Sequence, residues 1–127
     1  MCRRNIELKS EASFGVRPAS ELAACRLSAA ILSQGARIDP VALAGPGRCA
    51  APVARARQAA MYLTHIGFGL GYAAVGRGFE RDPSTVRHAC ARVEDWRDNP
   101  RIDLALRALE TAARAHRDSF ATFSTEA

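Results

Sequence analysis

The 127-residue sequence predicts an all-α fold, and three observations carry that expectation. The apolar residues lean on alanine rather than on valine, isoleucine and aromatics; alanine is the best helix former and adds little to a pleated core. Three Asx-Pro pairs, Asp39-Pro40, Asp82-Pro83 and Asn99-Pro100, each supply a helix start. The Asx side chain caps free backbone N–H groups, and proline at the first helical position gives up an N–H that would go unpaired anyway. Between these starts, apolar residues recur at helical intervals. A chain of this length is one ordinary domain, or a smaller domain with an ordered arm, and can bury a core without a metal or disulfide staple.

Taken in order, Pro18 and Ser20 open a helix over residues 19–34 that Gly35 ends. A short helix follows at about 40–44, closed by Gly45-Pro46-Gly47. Pro52 precedes a longer helix over about 53–66, with Val53, Ala56, Ala60, Leu63 and Ile66 on one stripe; Gly67, Gly69 and Gly71 break it. Helices over about 72–78, 83–96 and 100–117 complete the series, the last with Ile102, Leu106, Leu109 and Ala113 along one face. The first 17 and last seven residues have weak periodicity and are expected to fray. This divides the chain into an N-terminal arm and helix (1–36), a central domain (37–98) and a C-terminal helix with its tail (99–127).

Charge is unevenly placed. Residues 48–92 hold seven arginines against Glu80 and Asp82, a net +5, whereas residues 93–127 come to −2. A local basic excess of that kind is the footprint of a polyanion partner. Cys2, Cys25, Cys49 and Cys90 form no C-x-x-C pair, and His88 and Cys90, two apart on a helix, point to opposite sides, so no zinc site is expected. From the polar start no signal peptide is expected, and no apolar run approaches the roughly 18 residues of a membrane span. The sequence thus reads as cytoplasmic with reduced thiols. No nucleophile accompanies His65 or His88, so neither catalysis nor a cofactor is expected.

The stretch from Tyr72 to Val86 has the make-up of a helix-turn-helix. That motif needs small residues where one helix crosses the other, a tight turn, and a capped second helix. Ala73, Ala74 and Gly76 supply the small surface; Val75, Phe79, Val86 and Val93 fill the wedge; Glu80 and Arg81 make the turn; Asp82 caps. Ser84, Thr85, Arg87 and His88 are left near the exposed N-terminal end of the second helix, the part that meets base edges in a major groove. The same pattern also suits a plain helical corner.

Two blocks go further. V-A-R-x-R-Q at Val53–Gln58 and R-D-x-x-T-V-x-H-A-C at Arg81–Cys90, with Val75-Gly76 and Phe79 between, resemble the C-terminal DNA-binding domain of the bacterial replication initiator DnaA. The likeness covers about residues 37–97. It implies a multi-helix bundle that reads a short double-stranded DNA box from both grooves. By that resemblance Arg57 matches the arginine that enters the minor groove, and Asp82, Ser84 and Thr85 match positions that contact bases in the major groove. Pro83, Arg87 and His88 complete the base-facing candidates. Arg48, Arg55, Arg77, Arg81 and Arg92 are candidates for phosphate contacts, chosen by position and charge.

The sequence departs from the family in four places. Pro83 stands where the family usually has a base-reading histidine, and the turn between Phe79 and Asp82 is one residue shorter than usual. The basic loop before the long helix is thinned to Arg48, and no G-x-x-x-x-G-K-[ST] phosphate loop is present. The resemblance therefore implies a DnaA-like DNA-binding domain detached from its ATPase. The leading expectation is a small transcriptional regulator, similar to activators of prophage-like or gene-transfer-agent clusters. The alternatives are a replication modulator that competes for initiator boxes, and a helical adaptor that does not touch DNA. The flanking helices leave room for a homodimer contact, for RNA polymerase or for a partner activator.

Overall fold

The computed structural model describes residues 18–44 and 51–126 and is all-α there. Its helices are α1 (Pro18–Ala36), α2 (Pro40–Ala44), α3 (Ala51–Gly67), α4 (Tyr72–Phe79), α5 (Pro83–Trp96) and α6 (Pro100–Glu126). All three Asx-Pro pairs start helices as their chemistry requires. Asp39 Oδ1 accepts from Val41 N at 2.9 Å, Asp82 Oδ2 from Ser84 N at 3.1 Å, and Asn99 Oδ1 from Arg101 N at 2.9 Å. The first 17 residues, expected to fray, the Gly45-Pro46-Gly47 closure and Arg48 lie outside the described residues.

Three boundaries differ from the sequence reading. Gly35 does not end α1; the helix runs to Ala36, and Arg37 takes the left-handed conformation (φ 59°) while Ile38 N donates to Ser33 O at 2.9 Å. The long helix starts at Ala51, so Pro52 lies in its first turn, where no intrahelical N–H bond is lost. The last seven residues are not frayed at 121–126: α6 continues to Glu126. Along that extension the Ser119 and Thr122 hydroxyls donate to carbonyls four residues back.

α3 is the centre of the molecule. Every residue from Ala60 to Phe68 is buried, so this helix is enclosed all round rather than along one stripe. α1, α5 and α6 each pack on it. Ala24, Cys25 and Ala29 of α1 and Leu106 and Ala113 of α6 join the same core as Val75, Val86 and Val93. Two polar residues inside α3 are satisfied locally: Thr64 Oγ1 donates to Ala60 O, and His65 Nδ1 lies 2.7 Å from Leu70 O. A carbonyl only accepts, so Nδ1 carries the proton and pins the turn between α3 and α4.

α6 lies along α3 and runs the same way. Its first turns share a groove with Arg55 and Ala59 near the start of α3, while Ala113 closes on Gly67 at the end. A polar network fixes this arrangement. Tyr62 OH donates to Glu94 Oε2 at 2.7 Å and accepts from Arg97 Nη1 at 2.8 Å. Arg97 also donates to Asp103 Oδ1 at 2.6 Å and Glu110 Oε2 at 2.5 Å, so one guanidinium ties α3, α5 and α6. The Arg97 hydrogen bond holds the Asp103 carboxyl below the usual carboxylate range, and burial, then the Glu94 bond, push the Tyr62 phenol up.

Replacing Arg97 with methionine should lower stability at neutral pH by about 2–3 kcal/mol, because it strands the partners it satisfies. The folded-state pKa of Asp103 is depressed, so its stabilisation is complete above about pH 4 and is lost as pH falls through the folded value. Urea unfolding from pH 7 to pH 3 should therefore show the gap between wild type and Arg97→Met narrowing in acid. A gap that stays constant would assign Arg97 a packing role alone.

Candidate nucleic-acid interface

The interface is built at the junction of α4 and α5. α4 ends because Glu80 adopts φ 57° and ψ 49°, and the Gly76 carbonyl then accepts from both Glu80 N and Arg81 N. Gly76 is required there: a Cβ would collide with the Arg81 carbonyl oxygen. Val75, Phe79, Val86 and Val93 are fully buried and form the expected wedge. Of the three small residues expected at the crossing, Ala74 and Gly76 are buried, but Ala73 faces outward and takes no part.

α5 begins at a preorganised cap. Asp82 Oδ2 receives both the Ser84 backbone N–H and the Ser84 hydroxyl, and these bonds, the hydroxyl first, hold the Asp82 carboxyl below its ordinary range. Asp82 is thus a fixed acceptor, and Pro83 at the first helical position adds rigidity. Val86, Ala89, Cys90 and Val93 face the core. Pro83, Ser84, Thr85, Arg87, His88 and Arg92 are all exposed, so one helix separates cleanly into an anchored face and a polar, cationic outer face.

Arg57 is a correction. It does not project toward a groove; it is 6 % exposed, with Nε donating to Leu43 O at 2.7 Å and Nη2 to Ala42 O at 2.8 Å. The carbonyls at the end of α2 have no helical partners, and Arg57 satisfies two of them. Its role is to hold α2 on α3, and those bonds exclude entry into a minor groove while they stand.

The phosphate candidates fall into separate places. Arg92 extends the exposed face of α5. Arg77 is exposed but pairs with Glu21 at 2.9 Å, linking α4 to α1. Arg81 turns back onto the carbonyls of Phe79 and Glu80, at 3.0 and 3.2 Å. Arg55 lines a groove beside Trp96, at the far end of α5 and roughly 20 Å along the helix from Pro83. The bonds of Tyr62 to Glu94 and Arg97 were missed in the sequence because they join residues 32 and 35 apart, with no local spacing to reveal them.

A family model described as the bacterial DnaA protein helix-turn-helix matches residues 29–93. The match takes in the second half of α1 as well as both motif blocks. No curated protein and no solved structure matches the chain. No helix among the described residues is long and apolar enough to cross a membrane.

Two substitutions separate scaffold from interface. Arg57→Ala should cost about 2–3 kcal/mol by leaving the buried Leu43 carbonyl without its donor and releasing α2 from α3. Glu80→Gly should add about 1 kcal/mol by relieving the left-handed strain. Thermal unfolding measures both; an Arg57→Ala protein with wild-type Tm would reopen a surface role for this arginine.

Proposed function

Since the chain belongs to the bacterial DnaA helix-turn-helix family, we propose that it reads a short double-stranded DNA site through α5 and acts there as a transcriptional regulator. The observation that carries this reading is the outer face of α5. Ser84, Thr85, Arg87, His88 and Arg92 are exposed together, on a helix whose opposite face is locked into the core.

Each residue has a role in the reading. Asp82 accepts from a base amino group, such as that of cytosine, with the carboxylate oxygen that Ser84 does not occupy. Thr85 offers a hydroxyl and a methyl that can touch a thymine methyl. Arg87 reaches a guanine edge or a phosphate, His88 lies beside it, and Arg92 meets the backbone further along. The helix N-terminus adds partial positive charge toward the DNA. Minor-groove reading by Arg57 is no part of this proposal, because that side chain is committed to α2. His65 is sealed in the core, and the proposed role is non-catalytic.

A competitor for initiator boxes would need the family's base-reading set, and Pro83 alters it. An adaptor has no use for an outward face with Arg87 and Arg92 exposed and no ion-pair partner for either among the described residues.

Selection of bound sequences from random duplexes, followed by anisotropy titration, tests the proposal. Thr85→Ala should lose about 1–3 kcal/mol on the selected site and much less on random DNA. Affinity should fall steeply between low and moderate salt, as released counterions require. Equal loss on all sequences would remove Thr85 from the base-reading set, and salt-insensitive binding would contradict the phosphate contacts. In cells, chromatin immunoprecipitation should place the protein at promoters; confinement to the replication origin would favour the modulator.

A further inference from the structure

α6 carries more apolar surface than the bundle uses. Ile102, Leu106, Leu109, Ala113, His116, Phe120 and Phe123 follow one another at alternating intervals of four and three, the spacing of a helix-packing seam. The first four face α3. Past Ala113, which closes on Gly67 at the end of α3, every residue from 114 to 123 is exposed. Phe120 and Phe123 are 43 % and 72 % exposed, on a helix end that overhangs the core.

At the other end of α6 lies the complementary feature. A groove of about 630 Å³ is lined by Trp96, Ile102, Ala105 and Leu106, with Arg55 and Arg101 the charged residues among its walls. We infer that these two features belong together: Phe120 and Phe123 of one copy fill the groove of a second copy, and α6 pairs antiparallel with its counterpart about a two-fold axis.

The register supports this occupant. Placing Phe120 opposite Leu106 and Phe123 opposite Ile102 sets the axis at Ala112–Ala113 for both pairs. Ala105, Ala112 and Ser119 recur every seven residues along the flank that Ala105 shares with the groove, so small side chains mark the line of contact. Small residues at a contact let helix axes approach closely. The arriving C-terminal end of the partner helix carries partial negative charge, which suits the cationic rim of Arg55 and Arg101. With Phe120 and Phe123 43 % and 72 % exposed, the four rings and the groove walls they cover account for roughly 700–1,150 Å², close to the lower bound of a stable interface, and the flank at Ala105, Ala112 and Ser119 adds to it. A polar or acidic partner would leave the aromatic pair unsatisfied; a second copy covers knob and groove at once.

The contact does not depend on DNA, so its test does not either. Sedimentation velocity of the full chain, from low micromolar upward, should show a reversible dimer. The double variant Phe120→Ser, Phe123→Ser should weaken dimerisation about a hundredfold or more, with the helicity of the monomer unchanged because both rings are exposed within one chain. Ala105→Arg, which blocks the groove, should do the same. Mixing the two variants should restore part of the association, since each keeps the half that the other lacks. A monomer at all concentrations overturns the inference, as does a dimer that survives the phenylalanine changes. Loss of the dimer in the phenylalanine variant but not in Ala105→Arg would assign the rings to a different surface.

Discussion

The angle between α4 and α5 is set by the approach of Gly76 to the chain that follows it, and the interface inherits its geometry from that angle. The Gly76 carbonyl takes two donors, Glu80 N and Arg81 N, and its α-carbon lies against the Arg81 carbonyl with no room for a side chain. Once the chain reverses there, Asp82 arrives where it can cap α5, and Val86, Ala89, Cys90 and Val93 rotate onto the core. Helical periodicity then leaves Ser84, Thr85, Arg87, His88 and Arg92 no other direction than outward. One close backbone contact thus decides which residues are structural and which are available to a ligand. Glu80 bears the conformational cost, because a turn this short needs a left-handed residue at that position.

Most of this was legible in the sequence because it is local. Asx-Pro pairs cap within two residues, and the wedge residues repeat within two helical turns, so the observed starts of α2, α5 and α6 coincide with the expected ones. What was not legible joins distant parts of the chain. Arg97 satisfies Tyr62, Asp103 and Glu110 at once, and no spacing announces that three helices will meet on one guanidinium. The overhang of α6 is an intermediate case. Its four-three spacing runs visibly through His116, Phe120 and Phe123, but only the packed structure shows that α3 ends before the seam does.

Arg57 shows how a motif can carry the right fold and the wrong role for one of its members. An arginine in a basic segment suits a minor groove and suits a helix C-terminus equally, since both offer concentrated negative potential. Position decides between them. Arg57 lies nearly two turns into α3, where the carbonyls of Ala42 and Leu43 at the end of α2 accept from its guanidinium. In this structure it holds α2 against α3, the helix on which α5 packs.

Within the proposed reading, the same logic bears on Pro83 and Ser84. A histidine at the start of the recognition helix would add a donor or acceptor to the base-reading surface; Pro83 adds neither and fixes the first turn instead. Ser84 spends its hydroxyl proton on Asp82, so its oxygen faces outward as an acceptor, beside a carboxylate that Ser84 itself keeps ionised. The leading edge of α5 is thus rich in acceptors and suits exposed amino groups of cytosine or adenine, while the first strong donor, Arg87, comes one turn later. Discrimination must shift accordingly from the tip of the helix toward Thr85, Arg87 and His88. With so few base contacts per domain, a second recognition helix supplied by α6 pairing would multiply specificity in a way that the short interface of one chain does not.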